Sequence, residues 1–270
     1  VPSRTEQVAA TAIDLALSIL RTGQTGEWVY KTDRDFATAT DFAIEDAVRD
    51  LLARQTPEVG FLGEERGHTG NRERYWCLDP IDGSTNFSRG LPDYGVSLAL
   101  IEDETPVFGT IALPAHRERY VTRDGSAHLN NDPIKVAPTS ALRESVVSMG
   151  DFATGSGSAE KNQRRLAMLG QLGAAVGRVR MLGSAATDLA WLAAGRLDAV
   201  VIDANHPWDV AAGVALARAA GAVVTNIDGS PYTLSGPDLL ATTPHVHDAT
   251  VDALGRAVTD RSTSARSNWP

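Results

Sequence analysis

The sequence predicts a mixed fold in two closely packed parts, an α+β half over residues 1–135 and an α/β half over 136–270. Three observations carry this expectation. From Tyr94 to Arg123 the stretches YGVSLALIE, VFGTIALP and ERYVTR are strand-like. Turn signals at Glu104-Thr105-Pro106 and Asp124-Gly125 separate them, which predicts an antiparallel meander. After Pro138, strand-like and helix-like stretches alternate, the mark of an α/β layer. No glycine-serine linker lies between the halves, so they are expected to form one integrated unit.

Taken in order, Ser3 and Glu6 have the S-x-x-E spacing of a capping box ahead of an alanine- and leucine-rich helix ending near Arg21. Ile13, Leu17 and Leu20 share one face of that helix. The polar segment GEWVYKTDRDFATATD leads to a second helix starting near Asp41, and Pro57 closes that region. Phe61 and Leu62 form a short strand that delivers Gly63, Glu64 and Glu65, and Tyr75–Leu78 form a buried strand running into LDPIDGSTN. In the second half come strand ESVVSMG, helix AEKNQRRLAMLGQLG, strand GRVRML, helix SAATDLAWLAAG, strand LDAVVID and helix PWDVAAGVALARAAG. The polar end, RSTSARSNWP, is expected to fray.

The 270 residues are 43% hydrophobic, enough for a large core. The formal charge, 25 − 34 = −9, argues against a nucleic-acid surface. Binding an anion would then require cations or helix dipoles to reverse the local potential. One cysteine, Cys77, excludes an internal disulfide framework and is expected to face the core. No apolar run approaches the roughly 20 residues of a membrane span. The stretch VPSRTEQVAA lacks the pattern of a signal peptide. A soluble, cytoplasmic protein with no membrane or nucleic-acid partner is the expectation.

Within LDPIDGSTN, Asp79 and Asp82 lie three positions apart beside a buried strand, where two carboxylates repel unless a cation sits between them. Mg²⁺ takes oxygen ligands, a few carboxylates together with water and phosphate oxygens. Pro80 stiffens the segment, Gly83 allows close approach of a ligand, and Ser84, Thr85 and Asn86 can open a short helix. Alone, a D-x-x-D pair reads as an ordinary turn. Glu64 in GEE reads alone as a surface acid beside Arg66, Asp209 in HPWD as an acid complementing a helix dipole, and Asp41 in TATD as an N-cap. The metal reading rests on all of them together.

The combination of GEE, DPIDGSTN and WDVAAGVALARAAG resembles the inositol monophosphatase family, within the lithium-sensitive, Mg²⁺-dependent phosphatases. TATD at 38–41 and GSAATDLAW at 183–191 extend the resemblance over nearly the whole chain. It implies a layered α-β-α-β-α sandwich, often a homodimer, that hydrolyses a small phosphate ester with two or three Mg²⁺ ions. Glu64, Asp79 and the carbonyl of Ile81 match the ligands of a first ion; Asp79, Asp82 and Asp209 match those of a second; Glu64 serves a third through water. Asp41 and Ser84, with Glu64, form the implied catalytic set, the first two orienting and deprotonating the attacking water. The N–H groups of Gly83 and Ser84 hold the phosphate, Asp82 and Asp209 position the alcohol side, and Gly183, Ser184 and Ala185 line its ring.

Three positions depart from the family pattern. Where the family often places a substrate-contacting glutamate, seven before the WD aspartate, this chain has Ile202; Asp203 is the candidate replacement, and a changed pocket is the alternative. Lys31 matches a family lysine only approximately, and Ser84 stands for the commoner threonine. Inositol-1-phosphate is the leading substrate, with histidinol phosphate, fructose-1,6-bisphosphate or a nucleotide 3′-phosphate as alternatives, and a non-catalytic regulator as the reading from another class. His206 either borders the pocket or is an ordinary loop histidine, while His245 and His247 read as polar residues before a last helix. Trp191 and Leu192 read as helix core. Arg164, Arg165, Arg178 and Arg180 read as a solvated face, with one of them a candidate to cross a dimer interface.

Overall fold

The computed structural model describes residues 2–23, 28–30 and 36–259; Lys31 and the 261–270 tail lie outside them. Helix α1 (Arg4–Thr22) opens on the expected capping box, with Ser3 Oγ accepting from the Glu6 N–H and the Glu6 carboxylate accepting from the Ser3 N–H. A ribbon of β1 (Trp28–Tyr30) and β2 (Phe36–Thr38) leads into α2 (Ala39–Gln55). Then follow β3 (Gly60–Gly63), β4 (Gly67–Thr69), β5 (Arg74–Asp82), the single-turn helix α3 (Ser84–Arg89), β6 (Gly95–Glu102), β7 (Thr105–Leu113), β8 (Glu118–Arg123), β9 (Ser126–Leu129) and β10 (Asp132–Ile134). The second half runs β11 (Val146–Met149), α4 (Ser158–Ala175), β12 (Arg178–Arg180), α5 (Ala185–Ala193), β13 (Ala199–Asp203), α6 (Pro207–Ala219), β14 (Val223–Thr225), β15 (Asp238–Thr242) and α7 (His247–Thr259).

Strands of the first half build one sheet in the order β10-β9-β8-β7-β6-β5-β3-β4, antiparallel except where β3 runs parallel to β5. The meander is present and longer than its sequence suggests. Its first turn is Asp103-Glu104, not 104–106, and a further hairpin turns at Asn130-Asn131. These two turns and Asp124-Gly125 have positive φ at both central residues, the type I′ geometry whose twist suits a two-residue hairpin. Pro106 lies inside β7, where an irregularity in the β6–β7 register accommodates it. The second sheet has the order β12-β11-β13-β15-β14. Its β11 is parallel to β12 and β13, as alternation predicts, but β15 is antiparallel to both its neighbours.

Period-two alternation along β5 explains the layering. Trp76 and Leu78 face α1 and α2 in one core, with Ile13, Ile44 and Leu98. Tyr75 and Cys77 face the other way, onto Ala186 and Ala190 of α5 and Ala211, Ala212 and Leu216 of α6. Because both faces are covered, β5 reads as a nearly unbroken apolar run. The far sides of α5 and α6 pack Leu189, Leu192 and Val214 on Val200, Leu239 and Ala241 of the second sheet. That sheet's outer face, with Val147, Val201 and Leu240, is closed by Met168 and Leu172 of α4 and Leu254 of α7. The result is five layers, α-β-α-β-α.

Small residues set the spacing of the middle layer. A Cβ at Gly109 on β7 would lie 2.3 Å from the Ala212 carbonyl oxygen of α6, a contact with backbone that cannot rotate away. Gly109→Ala therefore lowers unfolding stability by roughly 1–3 kcal/mol or more. Urea denaturation checks it, and a variant as stable as wild type would show that the middle layer slides freely.

Candidate active site

The DPID segment is the end of β5 rather than a loop. Asp79 pairs with Ser97 and Asp82 with Gly95, so three steps on β5 match two on β6. One residue is extra, and the strand bulges there. In a regular strand, residues three apart face opposite sides. The extra residue brings Asp79 and Asp82 to the same side, and Pro80, which has no N–H to donate, is tolerated at such a bulge. Asp79 and Asp82 are buried, 3% and 6% exposed. The Ile81 N–H donates to Asp79 Oδ1 at 3.0 Å. Asp82 Oδ1 accepts from the Ser184 hydroxyl and, at 3.2 Å, from the Ala186 N–H at the start of α5.

Other elements bring further acids to this end of the sheet. Glu64 sits in the turn between β3 and β4, and Glu45 of α2 holds that turn from beneath. The fully buried Glu45 carboxylate accepts from the N–H groups of Glu65 (2.7 Å) and Arg66 (2.8 Å) and pairs with Arg49. It fits there because residue 63 is glycine; a Cβ would lie 2.3 Å from its Cδ. Asp209 is the third residue of α6 and accepts from the His206 N–H at 2.8 Å. A pocket of about 180 Å³ is lined by Glu64, Asp79, Ile81, Asp82, Gly83, Ser84, Thr85, Asp151, Gly183 and Asp209. Five of these carry carboxylates and none carries a cation. Among the described residues, no three carboxylate, imidazole or thiol groups close into a metal-binding cluster, so the acids form a wall rather than a finished coordination shell.

Asp41 lies just behind the wall, 1% exposed. Its Oδ2 accepts from Thr38 N–H (2.7 Å) and Thr38 Oγ1 (2.6 Å), and Ser84 Oγ stands 3.5 Å from its Oδ1. The Ser84 hydroxyl also lies 2.9 Å from the Ile81 carbonyl oxygen. Gly83 has φ +85°, and a Cβ there would meet the Asp93 carbonyl at 2.9 Å, so glycine is needed twice over.

The structure separates the remaining sequence candidates. Gly183 lines the pocket, whereas Ser184 caps α5 and turns its hydroxyl onto Asp82, and Ala185 is not among the lining residues. Asp203 does not reach the pocket. Its carboxylate is paired with Arg164 (3.0 Å) and Arg165 (3.3 Å), and Arg164 also bridges to Asp238 at 2.8 Å. Ile202 is buried in the core between the middle helices and the second sheet. Arg165 is itself buried, so the solvated-face reading fails for it; Arg164 stays partly exposed while pairing with the two aspartates, and Arg178 and Arg180 are exposed. His206 caps α6 and stacks on Trp208 at 4.7 Å, outside the pocket lining. His247 begins α7 rather than preceding it. Sequence reading missed Glu45 and Asp151, and placed Thr85 only in the short helix after Gly83. Asp151 carried a usable signal, an acid after glycine at a strand end, as in Gly63-Glu64.

Burial is the main reason that Asp79 is pushed well above the ordinary carboxylate range, with repulsion from Glu64, Asp82, Asp209 and Asp41 adding to it. Burial likewise lifts Asp82 to about 7; the Ser184 and Ala186 hydrogen bonds oppose the lift, while Asp209 and Glu64 reinforce it. Cys77 is also pushed up by burial and by Asp209 and Asp79, which keeps it a thiol in the core. Asp151 is raised by burial, with Arg165 opposing.

Comparison with known proteins agrees with this geometry. The sequence profile of the Inositol monophosphatase family matches residues 3–259. A Mycobacterium tuberculosis protein named probable inositol 1-monophosphatase ImpA is 37% identical over 250 residues, 92% of either chain. A Thermotoga maritima protein named fructose-1,6-bisphosphatase/inositol-1-monophosphatase is 31% identical, over 83% of this chain and 84% of its own. The solved inositol monophosphatase from Anabaena superimposes with a TM-score of 0.80 at 34% identity, covering 93% of this chain and 94% of its own. This chain belongs to the inositol monophosphatase family, whose members are phosphoric monoester hydrolases.

The raised carboxyls link stability to pH. Folded metal-free protein keeps protons on Asp79 and Asp82 that the unfolded chain gives up near pH 4. The Asp82 contribution is complete below that pH and is lost as pH rises through about 7, while Asp79 is held well above its ordinary range and acts in the same direction. The urea midpoint of metal-free protein is expected to fall between pH 5 and pH 8, and Asp82→Asn to flatten that fall. A midpoint that rises over the interval would contradict the assignment.

Proposed function

We propose that this chain is a Mg²⁺-dependent, lithium-inhibited inositol monophosphatase, acting in the cytoplasm as a homodimer. The observation that carries the reading is the pocket lined by five carboxylates and no cation, built on the bulged end of β5. Hard oxygen donors at this density suit Mg²⁺, and a phosphate enters such a pocket only with cations. Glu64, Asp79, Asp82, Asp209 and the Ile81 carbonyl are the groups that would hold the ions. When bound, Mg²⁺ supplies Lewis-acid polarisation of the phosphate and a lowered pKa for water.

The chain's own residues do the positioning. Thr38 fixes Asp41 through two hydrogen bonds to one oxygen, leaving Oδ1 toward Ser84. The Ser84 hydroxyl donates to the Ile81 carbonyl at 2.9 Å; turned instead to Asp41 Oδ1, 3.5 Å away, it has lone pairs free to accept from the attacking water, and Asp41 can take the proton passed along. Serine keeps the hydroxyl that the commoner threonine supplies. The φ of Gly83 directs the chain into α3 so that the N–H groups of Gly83 and Ser84 are candidates for phosphate oxygens. Ser184 and Ala186 hold Asp82, so the middle layer of helices supports the acid it faces. No helix among the described residues is long and apolar enough to cross a membrane. The double name of the Thermotoga relative keeps fructose-1,6-bisphosphate as the second substrate to test.

Phosphate release with Mg²⁺ from inositol-1-phosphate, histidinol phosphate, fructose-1,6-bisphosphate and adenosine 3′,5′-bisphosphate, each with and without lithium, tests the reading. Inositol-1-phosphate is expected to give the highest kcat/KM, with lithium suppressing turnover. Asp41→Asn and Ser84→Ala are each expected to lower kcat by about 10²–10⁴-fold, the usual range for a lost acid–base group. Absence of Mg²⁺-dependent release from all four esters would overturn it.

A further inference from the structure

The fifth carboxylate of the pocket has no counterpart in the metal set. Asp151 follows β11 in the second sheet, whereas Glu64, Asp79 and Asp82 come from the first sheet and Asp209 from α6. Its carboxylate makes no hydrogen bond or ion pair among the described residues; the nearby Arg165 is bonded at 2.7 Å to the Asp151 carbonyl oxygen and is paired with Asp203. That bond ties the end of β11 to the end of β13 and so places the Asp151 side chain. On the pocket side its neighbour is Gly183, where a Cβ would lie 3.2 Å from Asp151 Oδ2 and 3.2 Å from Asn86 Nδ2. Glycine at 183 therefore leaves the carboxylate open to the pocket. The strand that would otherwise serve this side offers nothing, since Ile202 is in the core and Asp203 is held by two arginines.

We propose that Asp151 is a specificity-determining residue that accepts hydrogen bonds from the hydroxyl groups of a polyol monophosphate and rejects substrates carrying a second phosphate. This rests on the phosphatase reading above and narrows its substrate class. With no lysine or arginine among the lining residues, a second phosphate has no partner there and meets a like charge. Hydroxyl donors meet a water-exposed acceptor that no other group among the described residues engages, and hydrogen bonds to a charged group are the stronger kind.

The test is kcat/KM for inositol-1-phosphate against inositol-1,4-bisphosphate, and for fructose-1-phosphate against fructose-1,6-bisphosphate, in wild type, Asp151→Asn and Asp151→Arg. Wild type is expected to favour each monophosphate. Asp151→Asn should reduce that preference about tenfold, with the monophosphate loss falling on KM, and Asp151→Arg should reduce it further. The carbonyl, not the carboxylate, carries the bond to Arg165, so both variants keep the tie between strands, and thermal unfolding checks this. Monophosphate preferences within twofold of wild type in both variants would overturn the assignment of Asp151, as would a wild type that favours the bisphosphates. p-Nitrophenyl phosphate separates the two levels. A wild type that cleaves it while failing the mono-to-bisphosphate comparison loses Asp151 alone. A wild type inactive on every ester loses the phosphatase reading and Asp151 with it.

Discussion

Mutual repulsion among carboxylates is the constraint around which this molecule is arranged. Asp79 and Asp82 share one side of β5 only because the strand carries an extra residue there. Left to itself such a pair would splay apart or sit protonated, and burial makes the tension greater. The fold opposes it with donors. Asp82 is held by Ser184 and Ala186, Asp79 by the Ile81 N–H, Asp209 by the His206 N–H and Asp41 by Thr38. Glu64 is placed indirectly, through the turn that Glu45 grips. Hydrogen bonds of this kind keep anions in place, but they do not neutralise them.

The five layers follow from the same requirement. The ends of α5 and α6 can reach the end of β5 only if these helices pack directly on the first sheet. Alanines on both helices and Gly109 on β7 allow that approach. Each helix then delivers its positive N-terminal end to the acidic pocket, α5 through Ser184 and Ala186, α6 through the turn containing Asp209. The second sheet supports the helices from behind and contributes Asp151. Packing and chemistry are thus one problem here, because the residues that set layer spacing also decide which acids meet.

Much of this was legible in the sequence, for identifiable reasons. The capping box of α1, the meander and the acidic motifs are local patterns, and local patterns survive translation into structure. The bulge was not legible, since Asp-Pro-Ile-Asp reads as a turn and only pairing with β6 turns it into strand. β14 and β15 were missed because Val223–Thr225 and Asp238–Thr242 are short and flanked by turn residues. Asp203 looked like the natural stand-in beside Ile202, but its partners Arg164 and Arg165 lie nearly forty positions away in α4, and no spacing rule exposes such a pairing. Glu45 gave no signal at all, being one more acid on a helix whose role depends on a glycine in another strand. Long-range pairing of charges is what the sequence concealed.

The central claim is that the carboxylate wall is built for a divalent cation and holds protons in its place when none is bound. Calorimetric titration of Mg²⁺ into metal-free protein at pH 7, in buffers of differing ionisation enthalpy, measures this directly, because a cation can bind Asp79 and Asp82 only in their ionised form. The account predicts saturable binding with net release of protons to the buffer. Saturable binding with no proton release, or no binding at all, would contradict it.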